Sequence, residues 1–137
     1  MSHGLIIEDE VATATPVKDA LEMDGIQVDI ASDGNFGLQL FRTNAYDLIL
    51  LDLKLPGLTG EEVLSIIRKE DPFITVIVYT NYSSFADIKK LTNIGIDGYI
   101  NKGPDADLDE LVKAIENKLS PIDDASLDAL FKELPGN

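Results

Sequence analysis

The chain has no cysteine and only one histidine in 137 residues. No disulfide, thiolate nucleophile or thiolate-bound metal can form, and a cytoplasmic setting is expected. The histidine, His3, falls in the opening MSHG and is read as part of a flexible end or a cloning remnant, with no catalytic part to play. Basic side chains are few, 11 against 25 acidic ones, which leaves a net charge of -14. Such a chain repels a phosphate backbone, so direct nucleic-acid binding is not expected; partners with basic surfaces or multivalent cations suit it better. No apolar run approaches the roughly 20 residues that cross a bilayer. The start also lacks the basic and apolar regions of a secretory leader, so no membrane insertion is expected.

What the chain does have is an ordinary globular balance, 45% hydrophobic and 26% charged residues, in a length that suits one domain. Short apolar runs rich in β-branched residues recur, bounded by Gly, Pro, Asp or Asn, and alternate with stretches of helical spacing. The strands are expected at Leu5 to Ile7, Gln27 to Ala31, Asp47 to Leu51, Thr75 to Tyr79 and Gly98 to Ile100. LILL and TVIVY are apolar throughout, as befits central strands covered on both faces. Between them, Val17, Ala20 and Leu21; Phe36, Leu40 and Phe41; Val63, Leu64 and Ile67; and Phe85, Ile88 and Leu91 mark helices with one buried face. Leu108, Leu111, Val112, Ile115 and Leu119 mark a fifth, opened by an Asp-rich turn. Pro16 requires either a helix that starts at Thr15 or one that is kinked. Residues 1–119 form the domain, and 120–137 a tail with a short amphipathic helix through Leu127, Leu130, Phe131 and Leu134. The fold class is α/β, a doubly wound parallel sheet of five strands with helices on both faces.

In such sheets ligands sit beyond the carboxyl ends of the strands. Those ends carry Glu8, Asp9 and Glu10 after the first strand, Asp52 after the third, Thr80 after the fourth and Lys102 after the fifth. Each feature alone has an ordinary structural explanation: an acidic helix start, a strand stop, a helix cap, a loop lysine. Together they form one layer. Two carboxylates about 5 Å apart repel by roughly 3 kcal/mol at an effective dielectric near 20. A hard divalent cation such as Mg²⁺, which takes carboxylates, waters and a phosphate oxygen, offsets that repulsion. Pro56, Gly57 and Gly60 read as a turn that positions the site.

LIIEDE, DLILLDLKLPGLTG, VIVYT and GYINK, in that order, resemble the receiver domains of two-component response regulators over Gly4 to Leu119. The resemblance implies the flavodoxin-like strand order 2-1-3-4-5, with Asp52 as phosphoacceptor. It also implies Mg²⁺ held directly by Asp9 and Asp52, through water by Glu8, and by the backbone carbonyl of Lys54. Lys102 would pair with the bound phosphoryl group, and Thr80 would swing its hydroxyl toward it while Tyr99 turns inward as a switch. A sensor histidine kinase or phosphotransfer protein would be the donor. A protein target would read the fourth helix, fifth strand and fifth helix, and pairing with a second copy is left open. Such a chain would promote its own phosphoryl transfer and dephosphorylation without being an enzyme toward other substrates.

Two rival readings are weaker. A haloacid-dehalogenase-like phosphatase needs a second acid two residues after the nucleophile, where Lys54 stands. A pseudo-receiver that is never phosphorylated is opposed by the full set of acceptor, acids, hydroxyl and lysine, though the loops after Thr80 and Lys102 depart from the pattern. Gly103 separates Lys102 from Pro104, where the family joins lysine and proline by a cis bond; a cis bond before glycine would cost about 3 kcal/mol. Asn81 and Tyr82 follow Thr80 in place of a small residue and are expected to narrow access to the phosphoryl group. Asn81→Ala is therefore expected to alter the lifetime of the phosphorylated form, and an unaltered lifetime would refute that role.

Overall fold

The computed structural model describes residues 2–80, 85–101 and 108–119. The chain alternates strand and helix throughout: β1 His3–Ile7, α1 Val11–Met23, β2 Gln27–Ala31, α2 Gly34–Thr43, β3 Leu48–Leu51, α3 Gly60–Glu70, β4 Thr75–Thr80, α4 Phe85–Ile94, β5 Gly98–Asn101 and α5 Leu108–Leu119. The five strands are parallel in the order β2-β1-β3-β4-β5. No helix of the described residues is long and apolar enough to cross a membrane.

The continuously apolar strands follow from a sheet with a core on each face. Leu5, Ile7, Ile49, Leu51, Val76 and Val78 join one buried cluster with Leu38 of α2, Val63, Leu64 and Ile67 of α3, and Leu91 of α4. Their alternate neighbours Ile6, Leu48, Leu50 and Ile77 join the other, with Ala14, Val17 and Leu21 of α1 and Leu111, Val112 and Ile115 of α5. Strand periodicity sends successive side chains to opposite faces, so the inner stretches of β1, β3 and β4 are apolar on both. The expected Leu119 and Phe85 side chains, and the whole tail from Ser120, lie outside the described residues.

Three expectations are corrected. Helix α1 begins at Val11, with Glu10 at its N-cap, so the start at Thr15 is not adopted and Pro16 is the sixth residue of the helix. Its ring removes the donor to the Ala12 carbonyl, but both residues are exposed, which leaves that carbonyl facing solvent. Phe36 is 42% exposed rather than in the core. The buried face of α2 is instead Gly34, Gly37 and Leu38. His3 is no loose end: it opens β1, its Nε2 lies 2.9 Å from Asp29 Oδ2, and its ring lies 4.5 Å from that of Tyr46.

Arg68, near the end of α3, ties three segments together. Its Nε donates to the Gly95 carbonyl at 2.7 Å, Nη1 to the Ile74 carbonyl at 2.6 Å, and Nη2 to Asp97 Oδ2 at 3.0 Å. Asp97 Oδ2 also accepts from the Val76 amide at 2.9 Å. The guanidinium is largely sheltered, so its removal strands several acceptors. Arg68→Ala is expected to cost about 3 kcal/mol, read as a lowered urea midpoint; an unmoved midpoint would show the ties to be idle.

Candidate functional site

The parallel register sets the site. Ile7 of β1 pairs with Leu51 of β3, so Glu8 and Asp52 leave neighbouring strands at one level. The Asp52 amide donates to the Ile7 carbonyl at 3.0 Å and the Glu8 amide to the Ala31 carbonyl at 3.0 Å, which extends the ladder one residue past each strand. Thr80 ends β4 and pairs with Asn101, the last residue of β5. Among the described residues the buried polar or charged side chains are Glu8, 3% exposed, Asp52, 6%, and Thr80, 0%. All three sit on this rim. Burial of charge is costly unless it is compensated, so their concentration at one edge marks this rim as the candidate site.

Glu8, Asp9 and Glu10 bring their carboxylate oxygens within 4.8 Å of one another. The turn that does this is braced by the Glu10 amide, which donates to Glu8 Oε1 at 3.1 Å. Glu8 and Asp52 line one narrow cavity under the start of α1. Asp9 and Lys54 instead border a wider cleft on the α4 side. Of the expected metal set, Glu8 and Asp9 belong to this cluster and Asp52 does not; Glu8 and Asp52 are buried and Asp9 is exposed. Glu10 was noted at the strand end but not assigned to the metal; its place in the cluster follows from the turn. The all-oxygen donor set fits a hard cation such as Mg²⁺ and offers nothing to a soft one.

The loop after β3 is held by its glycines. The Gly60 amide donates to the Leu53 carbonyl at 3.0 Å, and a Cβ at Gly60 would lie 2.2 Å from the Asp52 carbonyl oxygen. Gly57 has φ +77°, a conformation that glycine alone adopts readily. The turn read from Pro56, Gly57 and Gly60 thus lies against the end of β3, and Gly60 touches the backbone of Asp52 itself. The Lys54 amide approaches Asp52 Oδ1 at 3.5 Å. Thr59 and Glu62 cap α3 reciprocally, at 3.2 Å from the Glu62 amide to Thr59 Oγ1 and 3.1 Å from the Thr59 amide to Glu62 Oε1.

Tyr99 packs against the cluster that holds Ile49, Leu51 and Leu91, and its hydroxyl is buried without a hydrogen-bond partner among the described residues. Lys102, Asn81, Tyr82, Gly103 and Pro104 lie outside the described residues.

Residues 5–116 match the response regulator receiver domain family. The uncharacterized transcriptional regulatory protein YkoG of Bacillus subtilis is 40% identical over 100 residues, 73% of this chain and 44% of that protein. The response regulator ArlR of Staphylococcus saprophyticus is 36% identical over 119 residues, 87% of this chain and 53% of its own. The chain spans about half the length of these relatives. A receiver domain protein (CheY-like) from Methanospirillum hungatei has a similar structure, with a TM-score of 0.82 and 30% identity over 98% of this chain and 99% of that one. The response regulator TrrA of Thermotoga maritima, solved in complex with Mg²⁺ and BeF, matches with a TM-score of 0.77 and 30% identity over 87% of this chain and 100% of that one.

Proposed function

Because the chain belongs to the response regulator receiver domain family, we propose that Asp52 accepts a phosphoryl group from a histidine kinase or phosphotransfer protein and that the change is read through protein contacts. The observation that carries this reading is the gathering of the buried polar side chains, Glu8, Asp52 and Thr80, on one rim of the sheet. A carboxylate oxygen of Asp52 attacks the phosphorus in line, the bond from phosphorus to the donor imidazole breaks, and an acyl phosphate forms. Glu8, Asp9, Asp52 and the Lys54 carbonyl would hold Mg²⁺, which when bound neutralises the phosphoryl oxygens. Lys102 supplies the further positive charge and Thr80 a hydroxyl donor to the new dianion.

The hydroxyl of Tyr99, buried with no hydrogen-bond partner among the described residues, supports a switch, since a buried hydroxyl left without a partner costs about 1–3 kcal/mol. Changes at Thr80, across from β5, can tip that balance.

Mg²⁺ titration followed by backbone amide shifts, with acetyl phosphate as donor, tests the reading. The ion is expected to move the amides of Glu8 to Glu10 and Asp52 to Lys54, and Asp9→Asn to weaken its binding at least tenfold, about 1.4 kcal/mol. Equal affinity in Asp9→Asn would remove Asp9 from the site.

A further inference from the structure

A cleft of about 690 Å³ opens beside the acceptor rim, between the loop after β3 and helix α4. We infer that it seats an aromatic side chain with an adjoining cation, presented by the protein that delivers the phosphoryl group. The inference rests on the reading of Asp52 as phosphoacceptor.

The floor is apolar and the rim acidic. Leu53, Leu55 and Leu91 supply the apolar lining; Asp9, Glu61 and Asp87 are acidic lining residues, and Lys54 is a basic one. Leu53 and Leu55 are only partly buried and pack against the core that contains Leu91. A flat apolar group laid on them completes the shielding of that core. The volume lies within the roughly 300–1,000 Å³ of built ligand pockets, and aromatic and arginine side chains are the usual anchors of protein interfaces. One wall is preformed, because Thr59, which lines the cleft, is locked by the reciprocal cap with Glu62.

Charge favours a cationic occupant. Three carboxylates and one ammonium, that of Lys54, border the cleft among the described residues, so its lining is net acidic in a chain with a net charge of -14. Glu61 Oε1 lies 2.8 Å from Lys90 Nζ, across from α3 to α4, and both side chains are well exposed. Exposed pairs of this kind are held weakly, so an incoming guanidinium or ammonium can take the place of Lys90 without stranding the carboxylate. Asp9 belongs both to this rim and to the acidic cluster with Glu8. An occupant of the cleft is therefore already beside the acceptor, which is why the phosphodonor, rather than a downstream target, is the partner assigned.

Tryptamine, an indole with one cation, is the probe, with 3-methylindole as its neutral control, both titrated into the isotope-labelled full chain. Tryptamine is expected to shift the amides of Leu53, Leu55, Thr59 and Leu91 and to bind about tenfold tighter than the control. Glu61→Gln and Asp87→Asn, changed at the rim and not in the core, are expected to erase most of that difference. Shifts elsewhere, or equal affinities for probe and control, would overturn the inference. In parallel, the purified histidine kinase that transfers fastest to the wild type is compared with acetyl phosphate. The ratio of kinase-dependent to acetyl-phosphate-dependent rates is expected to fall about fivefold in Glu61→Gln; a constant ratio excludes the phosphodonor as occupant. If acetyl phosphate leaves Asp52 unlabelled while tryptamine still binds, the acceptor reading fails and takes the assigned partner with it.

Discussion

Asp52→Asn is expected to abolish acid-labile phosphorylation while the protein stays folded. The amide keeps the shape of the side chain but is no nucleophile toward phosphorus, and it withdraws one negative charge from the proposed metal set. Asp52 and Glu8 are both buried on the same cavity, so loss of one charge lessens their mutual repulsion. The thermal midpoint should therefore hold or rise, in contrast to most substitutions of buried residues. Mass measurement after incubation with acetyl phosphate and Mg²⁺ gives the first readout and a melting curve the second. Phosphorylation that persists in the variant would move the acceptor elsewhere.

Gly60→Ala is expected to damage both fold and phosphorylation, although no functional group is removed. The new methyl carbon would stand 2.2 Å from the Asp52 carbonyl oxygen and 2.6 Å from the Leu53 Cα. Neither is the free end of a side chain, so the start of α3 or the end of β3 must shift. Overpacking against backbone costs about 1–3 kcal/mol, and a displacement of the Asp52 carboxylate by a fraction of an ångström spoils the in-line geometry. A lower urea midpoint with at least a tenfold slower reaction with acetyl phosphate is the anticipated pair of results. Wild-type values for both would mean that the helix start is free to retreat.

Much of this was legible in the sequence because a parallel α/β sheet writes its strands as unbroken apolar runs. LILL and TVIVY announced themselves, since each feeds two cores. The candidate site was legible for a related reason: where such a run stops, the first polar residue stands on the rim, as Glu8, Asp52 and Thr80 do. Helix faces were less transparent. Phe36 looked like a core residue because its apolar spacing to Leu40 was right, yet α2 turns Gly34 and Gly37 inward. A Cβ at Gly37 would lie 2.6 Å from Ile7 Cδ1, so close approach to β1 selects glycine, which carries no hydrophobic signal. His3 reads as a loose end because it stands near the terminus, whereas its partner Asp29 lies 26 residues away in sequence on the neighbouring strand. No local pattern announces such a partner. The cleft beside the site was equally silent, because it is assembled from the loop after β3 and from α4, far apart along the chain.

The alternation of the strands has one more consequence. When both faces of a sheet are greasy, hydrophobicity barely distinguishes the native alignment of a strand from one displaced by a single step, since Leu50 and Leu51 would simply trade compartments. The charged residues at the strand tips remove that ambiguity. A step in one direction would drag Glu8 or Asp52 between two oily layers, where an ionised carboxyl cannot stay without large expense. The groups assigned here to phosphoryl chemistry would then also act as stops that keep each strand from sliding, and the molecule's signalling edge would double as the ruler by which its sheet is aligned.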